Sequence, residues 1–204
     1  AVLDGKLYAA GGWYGANSNL VERYDLATNA WEAVAPMAAA RSDHGVAVLD
    51  GKLYAVGGFN DDDGFLSLGE RYDPAANAWE AVAPMATARQ GHDMAVLDGK
   101  LYAVGGFNDG GSVSSVERYD PATNAWEEVA PMAEERYDHA VAVLDGKLYV
   151  VGGNKEDGVT LSSVERYDPA LDAWEAVAPI AARFGGGALA VLDGKLYAVG
   201  GVNG

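Results

Sequence analysis

Residues 44–83 read HGVAVLDGKLYAVGGFNDDDGFLSLGERYDPAANAWEAVA, and the order of signals within them decides the fold. Residues 44–49 form a short apolar, β-branched run, Asp50-Gly51 follows, and KLYAVGG completes a second run. Asp-Gly between two such runs is a strong hairpin signal, because a type I′ turn needs positive φ at both central positions. A third strand is read at 67–73 (SLGERYD), a turn with Pro at its second position at 74–77, and a fourth strand at 78–83 (AWEAVA). No stretch sustains a 3.6-residue period, and the alanines at 38–40 are too few for a helix. The expectation is an all-β chain.

The unit recurs. AVLDGKLYA begins at residues 1, 47, 95 and 190, and once more at 142 with Val150 for the last Ala. A glycine pair follows each copy, with Gly11, Gly57, Gly105, Gly152 and Gly200 as its first member. Trp31, Trp79, Trp126 and Trp174 mark a period of 47–48 residues, which suits a four-stranded propeller blade and excludes short helical and leucine-rich repeats. Small residues in the first strand of each unit fit an innermost position, where blades converge. The Trp of the fourth strand fits the wider gap between blades. The glycine pairs let the backbone turn sharply and admit a neighbouring side chain.

Composition narrows the partners. Fourteen Lys and Arg against 30 Asp and Glu give a net charge of −16, a field that repels nucleic acid and anionic membrane surfaces. No apolar run approaches the roughly 18–20 residues of a membrane span, so a soluble chain, cytoplasmic by default, is expected. There is no cysteine, which removes disulfides, thiol nucleophiles and cysteine metal sites and leaves the redox compartment open. With no signal peptide and no initiator Met, the chain reads as an excised or processed piece.

The linked features resemble the kelch repeat over essentially the whole chain. They are the Gly-Gly after a strand, then Glu-Arg-Tyr-Asp, then a Trp seven residues after the Tyr: Tyr24 and Trp31, Tyr72 and Trp79, Tyr119 and Trp126, Tyr167 and Trp174. The preceding Arg-x-x-His of Arg41, Arg89 and Arg136 also matches. The resemblance implies a β-propeller of four-stranded antiparallel blades, a single domain over 1–204. Blades are expected at 1–40 (with an incomplete first strand), 41–88, 89–135 and 136–182, with a partial blade of two strands at 183–204. Four blades plus a hairpin leave three forms open: an open arc, a ring completed by an oligomer, or a closed four-bladed ring in which residues 187–192 pair beside residues 6–10. Near-identity of the units points to recent amplification or deliberate design.

Strand alternation sorts the loops. The first-to-second and third-to-fourth turns share one face and barely vary, while the other face holds everything that differs between units. Candidate binding residues on that face are Trp13, Tyr14 and Asn17 in the first unit, and Phe59, Asn60 and Asp62 in the second. Phe107 and Asn108 follow in the third unit, Asn154 and Lys155 in the fourth. The links between units add Arg41 with Asp43, Arg89 with Gln90, Arg136 with Tyr137, and Arg183 with Phe184. Exposed aromatic and Arg side chains on loops of a rigid scaffold are where binding concentrates. Kelch propellers similar to this one bind partners through that face. The repeated Arg also has a structural reading, tying its link to carbonyls or to an Asp of the next blade. The Tyr, Trp and Gly repeats are read as structural.

Chemistry finds little purchase. His44, His92 and His139 occupy equivalent places, with Gly186 standing where a fourth would be; zinc would require their nitrogens to meet within a few ångströms. Residues 60–64 (NDDDG) lack the spacing and distal Glu of a calcium loop. No strand carboxylate is seen to break the repeat, whereas catalysis needs a group unlike its symmetry mates. No catalytic residue, metal site or cofactor is assigned. Kelch-like copper oxidases crosslink a Tyr to a Cys, which this chain lacks. The expected function is a non-enzymatic binding or self-assembling scaffold, its partner a protein or peptide, including a second copy. The alternative is a sugar-binding or carbohydrate-active kelch protein stacking rings on Trp13, Tyr14, Phe59, Phe107, Tyr137 and Phe184 at the channel mouth.

Overall fold

The computed structural model describes residues 1–202, and among them there is no helix, hence none long and apolar enough to cross a membrane. Each Asp-Gly is a two-residue turn with both residues at positive φ, for example Asp50 at 51° and Gly51 at 69°. These turns fix the register of the hairpins they join.

The first sheet runs β1 (Val2–Leu3), β2 (Lys6–Ala10), β3 (Val21–Asp25) and β4 (Ala30–Val34) in sequence order. The second unit supplies β5 (Gly45–Leu49), β6 (Lys52–Val56), a small loop hairpin β7 (Phe59–Asn60) and β8 (Gly64–Phe65), then β9 (Gly69–Asp73) and β10 (Ala78–Val82). The third repeats this as β11 (Asp93–Leu97), β12 (Lys100–Val104), β13 (Phe107–Asn108), β14 (Gly111–Ser112), β15 (Val116–Asp120) and β16 (Ala125–Val129). The fourth sheet is β17 (Ala140–Leu144), β18 (Lys147–Val151), β19 (Val164–Asp168) and β20 (Ala173–Val177). The last hairpin, β21 (Gly185–Leu192) with β22 (Lys195–Val202), is a two-stranded sheet of its own. The place beside β2 that a closed four-bladed ring would give to residues 187–192 is held by β1.

The core lies between sheets. One cluster joins Tyr102, Val104 and Val116 of the third sheet to Leu148, Val150 and Tyr167 of the fourth; another joins Tyr54 and Val56 of the second to Leu101, Ala103 and Tyr119 of the third. Each later sheet also reaches back with its outer turn. Trp79 Nε1 donates to Ala35 O at 2.9 Å, Trp126 Nε1 to Ala83 O at 2.9 Å, and Trp174 Nε1 to Ala130 O at 2.8 Å. Beside them, the N–H groups of Ala35, Ala83 and Ala130 donate to Asn77, Asn124 and Asp172 Oδ1. Trp31, with no earlier sheet among the described residues to pack on, is 50% exposed, unlike its three half-buried counterparts.

We predict that Trp79→Ala lowers the unfolding free energy by about 2–4 kcal/mol, since it removes partly buried apolar area and a hydrogen bond across a sheet boundary. Chemical denaturation measures it, and a loss under about 1 kcal/mol would contradict the inter-sheet role.

Candidate functional site

The links between sheets build the inner end of the candidate site, and their Arg residues are not on its surface. Arg41, Arg89 and Arg136 are 0% exposed. Arg89 Nη1 donates to Gly105 O at 2.7 Å and Ser115 O at 3.0 Å, and its Nη2 to Glu117 Oε1 at 2.8 Å. Arg41 makes the same bonds to Gly57 O, Leu68 O and Glu70, and Arg136 bonds Gly152 O and Glu165. Each Glu then returns to the link: Glu117 accepts from the N–H groups of Ala86 and Thr87 at 2.7 and 3.0 Å. The expected loop-face contact by these three Arg is therefore corrected to an internal clasp. A guanidinium can be buried here because its carboxylate and carbonyl partners are fixed in place. The acidic partner is the Glu of Glu-Arg-Tyr-Asp rather than an Asp.

The fifth link keeps the length of the others, and Phe184 stands in it where they have Arg. Gly153 N–H donates to Phe184 O as Gly58 and Gly106 donate to Arg89 and Arg136 O, so Phe184, not Arg183, holds the clasp position. Phe184 is 5% exposed while Arg183 lies in solvent. Among the described residues no Glu stands near that position, so a guanidinium buried there would find no carboxylate among them. The same alignment places Gly187, not Gly186, opposite the three histidines. Gly186 instead ends a chain of backbone bonds around the axis, Gly91 N–H to Asp43 O, Asp138 N–H to Gly91 O and Gly186 N–H to Asp138 O, at 2.8, 2.8 and 2.7 Å.

A central cavity of about 680 Å³ is lined by Asp43, His44, His92, Asp93, Asp138 and His139 together with Ala1, Ala188 and Leu189. The histidines pack outward against the glycine pair of the preceding sheet. A Cβ built on Gly57, whose φ is +66°, would stand 2.7 Å from both His92 Cε1 and Arg89 O, which only glycine avoids. Among the described residues no group of three or more His, Asp or Glu is placed to hold a metal ion. Burial, reinforced by the neighbouring Arg charges, lowers His44 to about 4 and His139 to about 3, and takes His92 well below its ordinary value.

One carboxylate escaped the sequence reading. Asp93 stands in β11 where the other units have Gly45, Ala140 and Ala188, so it does break the repeat. Aligning the innermost strands position by position would have found it. Its Oδ2 accepts from Val141 N–H at 2.7 Å and its Oδ1 from Met94 N–H at 2.8 Å, and burial pushes it up to about 6. It braces the third sheet against the fourth.

The variable face carries a row of rings. Phe65 and Phe59 lie 5.5 Å apart, Phe65 and Phe107 6.1 Å, and Phe107 and Tyr137 5.3 Å, spanning the second to fourth units. All four are half-buried. Beside the row runs a groove of about 480 Å³ lined by Phe59, Asp63, Phe65, Thr87, Asn108 and Asp109. Asp43 and Asp62 are exposed on this face, and Gln90 is half-buried. The loop asparagines serve the loops themselves. Asn60 Nδ2 donates to Ala40 O while its Oδ1 accepts from Asp62 and Asp63 N–H, Asn108 repeats this with Ala88 O and Gly110 N–H, and Asn154 accepts from Thr160 Oγ1. Lys155 pairs with Glu134 at 2.9 Å. Trp13 and Tyr14 stand apart from the row, 69% and 97% exposed, with Asn17 half-buried behind them. Tyr14 occupies the place of Asn60 in the first unit.

A family model described as the KLHDC2/KLHL20/DRC7 Kelch-repeats domain matches residues 1–201. Among solved structures, one titled "Structure of YjhT" superposes with a TM-score of 0.86 at 20% identity, covering 98% of this chain and 70% of that one. No curated protein matches the chain.

Acid should expose the buried imidazoles. Their native values lie below the ordinary 6.5, so the unfolded chain binds protons that the native one refuses, and stability present above about pH 6.5 is lost on acidification. Each costs about 1.4 kcal/mol per pH unit below that value. Asp93 works in the opposite sense, taking up its proton in the native state near pH 6, and Asp138, raised by burial and by Asp43, joins it. Three imidazoles outweigh two carboxyls. The urea midpoint is expected to fall between pH 7 and about 5.5, and His139→Gln to flatten that fall; a midpoint that stays level or rises would contradict it.

Proposed function

Because the chain belongs to the kelch-repeat family, whose domains are typically non-enzymatic interaction modules, we propose that it is a protein-binding scaffold working through its variable loop face. The observation that carries this reading is the row Phe65, Phe59, Phe107 and Tyr137 beside an acidic groove. Rings packed edge to face and tilted against one another offer apolar area at little entropic cost, since their neighbours already hold them in place. Asp63 and Asp109 on the groove wall, with Asp61 and Asp62 exposed beside them, set the sign of the partner. Guanidinium and ammonium groups satisfy both features, by charge toward the carboxylates and by cation–π contact over the rings. The partner is thus a basic segment of a protein or peptide.

The test is titration of the chain with an Arg- and Lys-rich peptide and, in parallel, with a panel of neutral sugars. Peptide binding that weakens from low to high salt is expected, and Phe107→Ala should cut affinity about tenfold while leaving the unfolding midpoint nearly unchanged. Binding of sugars alone, or a peptide affinity indifferent to Phe107, would overturn the reading.

A further inference from the structure

The chain builds one groove twice on its variable face and fills only one of the copies. The open copy, of about 480 Å³, runs between the loop hairpins of the second and third units, over residues 86–88 of their link. One unit further on the positions recur with other side chains. Gly111 stands for Gly64, Ser112 for Phe65, Glu134 for Thr87, Lys155 for Asn108 and Glu156 for Asp109. There the protein occupies the space itself. Lys155 Nζ lies 2.9 Å from Glu134 Oε1, and the Glu156 carboxylate lies so close over Gly111 that a Cβ there would collide with it. The place takes a cation, and this copy supplies its own.

The open copy has neither half of that pair. Thr87 carries no charge, and Asn108 Nδ2 donates to Ala88 O to hold its loop. What the groove presents instead is Asp109 on one wall, and Asp63 with Phe59 and Phe65 on the other. Both carboxylates are exposed, and among the described residues neither pairs with a Lys or Arg. The strand carboxylates Asp25, Asp73, Asp120 and Asp168, by contrast, each hold a Lys of their own sheet.

We propose, resting on the reading of this face as the docking surface for a basic segment, that the open groove is an arginine pocket. A guanidinium of that segment enters between Asp63 and Asp109 and lies along Phe65. Lysine suits the filled copy, where a compact point charge meets the one carboxylate of Glu134. In the open copy the acceptors stand on opposite walls, and a flat fork of five donors reaches both. The ring wall selects the same group. A guanidinium is more weakly hydrated than an ammonium and stacks on an aromatic face, so it gives up less on entering.

Two peptides test this, identical except for Arg at every basic position in one and Lys in the other, each titrated into the intact chain. The Arg peptide is expected to bind about tenfold tighter. Asp63→Asn and Asp109→Asn should each weaken it and cut that preference to about threefold or less. Thr87→Glu with Asn108→Lys grafts the fourth unit's own ion pair into the groove, and should abolish the preference while leaving the urea midpoint near that of the parent. Equal affinity for the two peptides, or a preference that survives both Asp63→Asn and Asp109→Asn, would overturn the arginine pocket and leave the docking face standing. Failure of both peptides to bind would overturn the docking face and the pocket together.

Discussion

The clasp of Arg41, Arg89 and Arg136 on Glu70, Glu117 and Glu165 is the constraint from which the rest follows. Each sheet must hand the chain to the next through a link that crosses the inner end, where backbone groups crowd and water is scarce. The guanidiniums of Arg41 and Arg89 each bond carbonyls at the ends of two strands, that of Arg136 a carbonyl and the Ser163 hydroxyl, and the carboxylate that neutralises each binds the link's own N–H groups. Link, second strand and third strand are thereby held as one body. Burying an ion pair of this kind costs desolvation of both charges, and it is tolerated because every guanidinium nitrogen but Nε finds an oxygen. What it supplies is position.

From that position come the other features. Gly11, Gly57 and Gly105 must lack Cβ atoms because the Arg carbonyl and the His ring of the next link lie against them. The histidines are pressed into the wall of the central cavity, which is why acid works against the fold. The loops that carry the ring row are held by Asn60 and Asn108 reaching back to the same links, so the binding face rests on the clasp at one remove.

Much of this was legible in the sequence, and the failures have causes. Asp-Gly and the Trp period located the hairpins and sheets because local turn chemistry and repetition need no tertiary knowledge. The clasp was half legible: the donors were apparent, but the Glu partner sits about 28 residues away and only the fold brings it near. Trp31 looked like its siblings because sequence does not record the absence of a neighbour. Phe184 and Asp93 were misread because near-identity of the units drew attention to what recurs, whereas these residues matter by differing. The ring row was visible only as separate loop aromatics; Phe65, which joins Phe59 to Phe107, was passed over.

A double-mutant cycle on Arg89 and Glu117 tests the central claim most directly. Arg89→Met and Glu117→Gln should each cost about 3–5 kcal/mol in urea unfolding, because each strands a buried partner. The double variant should cost at least about 2 kcal/mol less than their sum. Additivity to within about 0.5 kcal/mol would show that the two side chains do not act as one clasp.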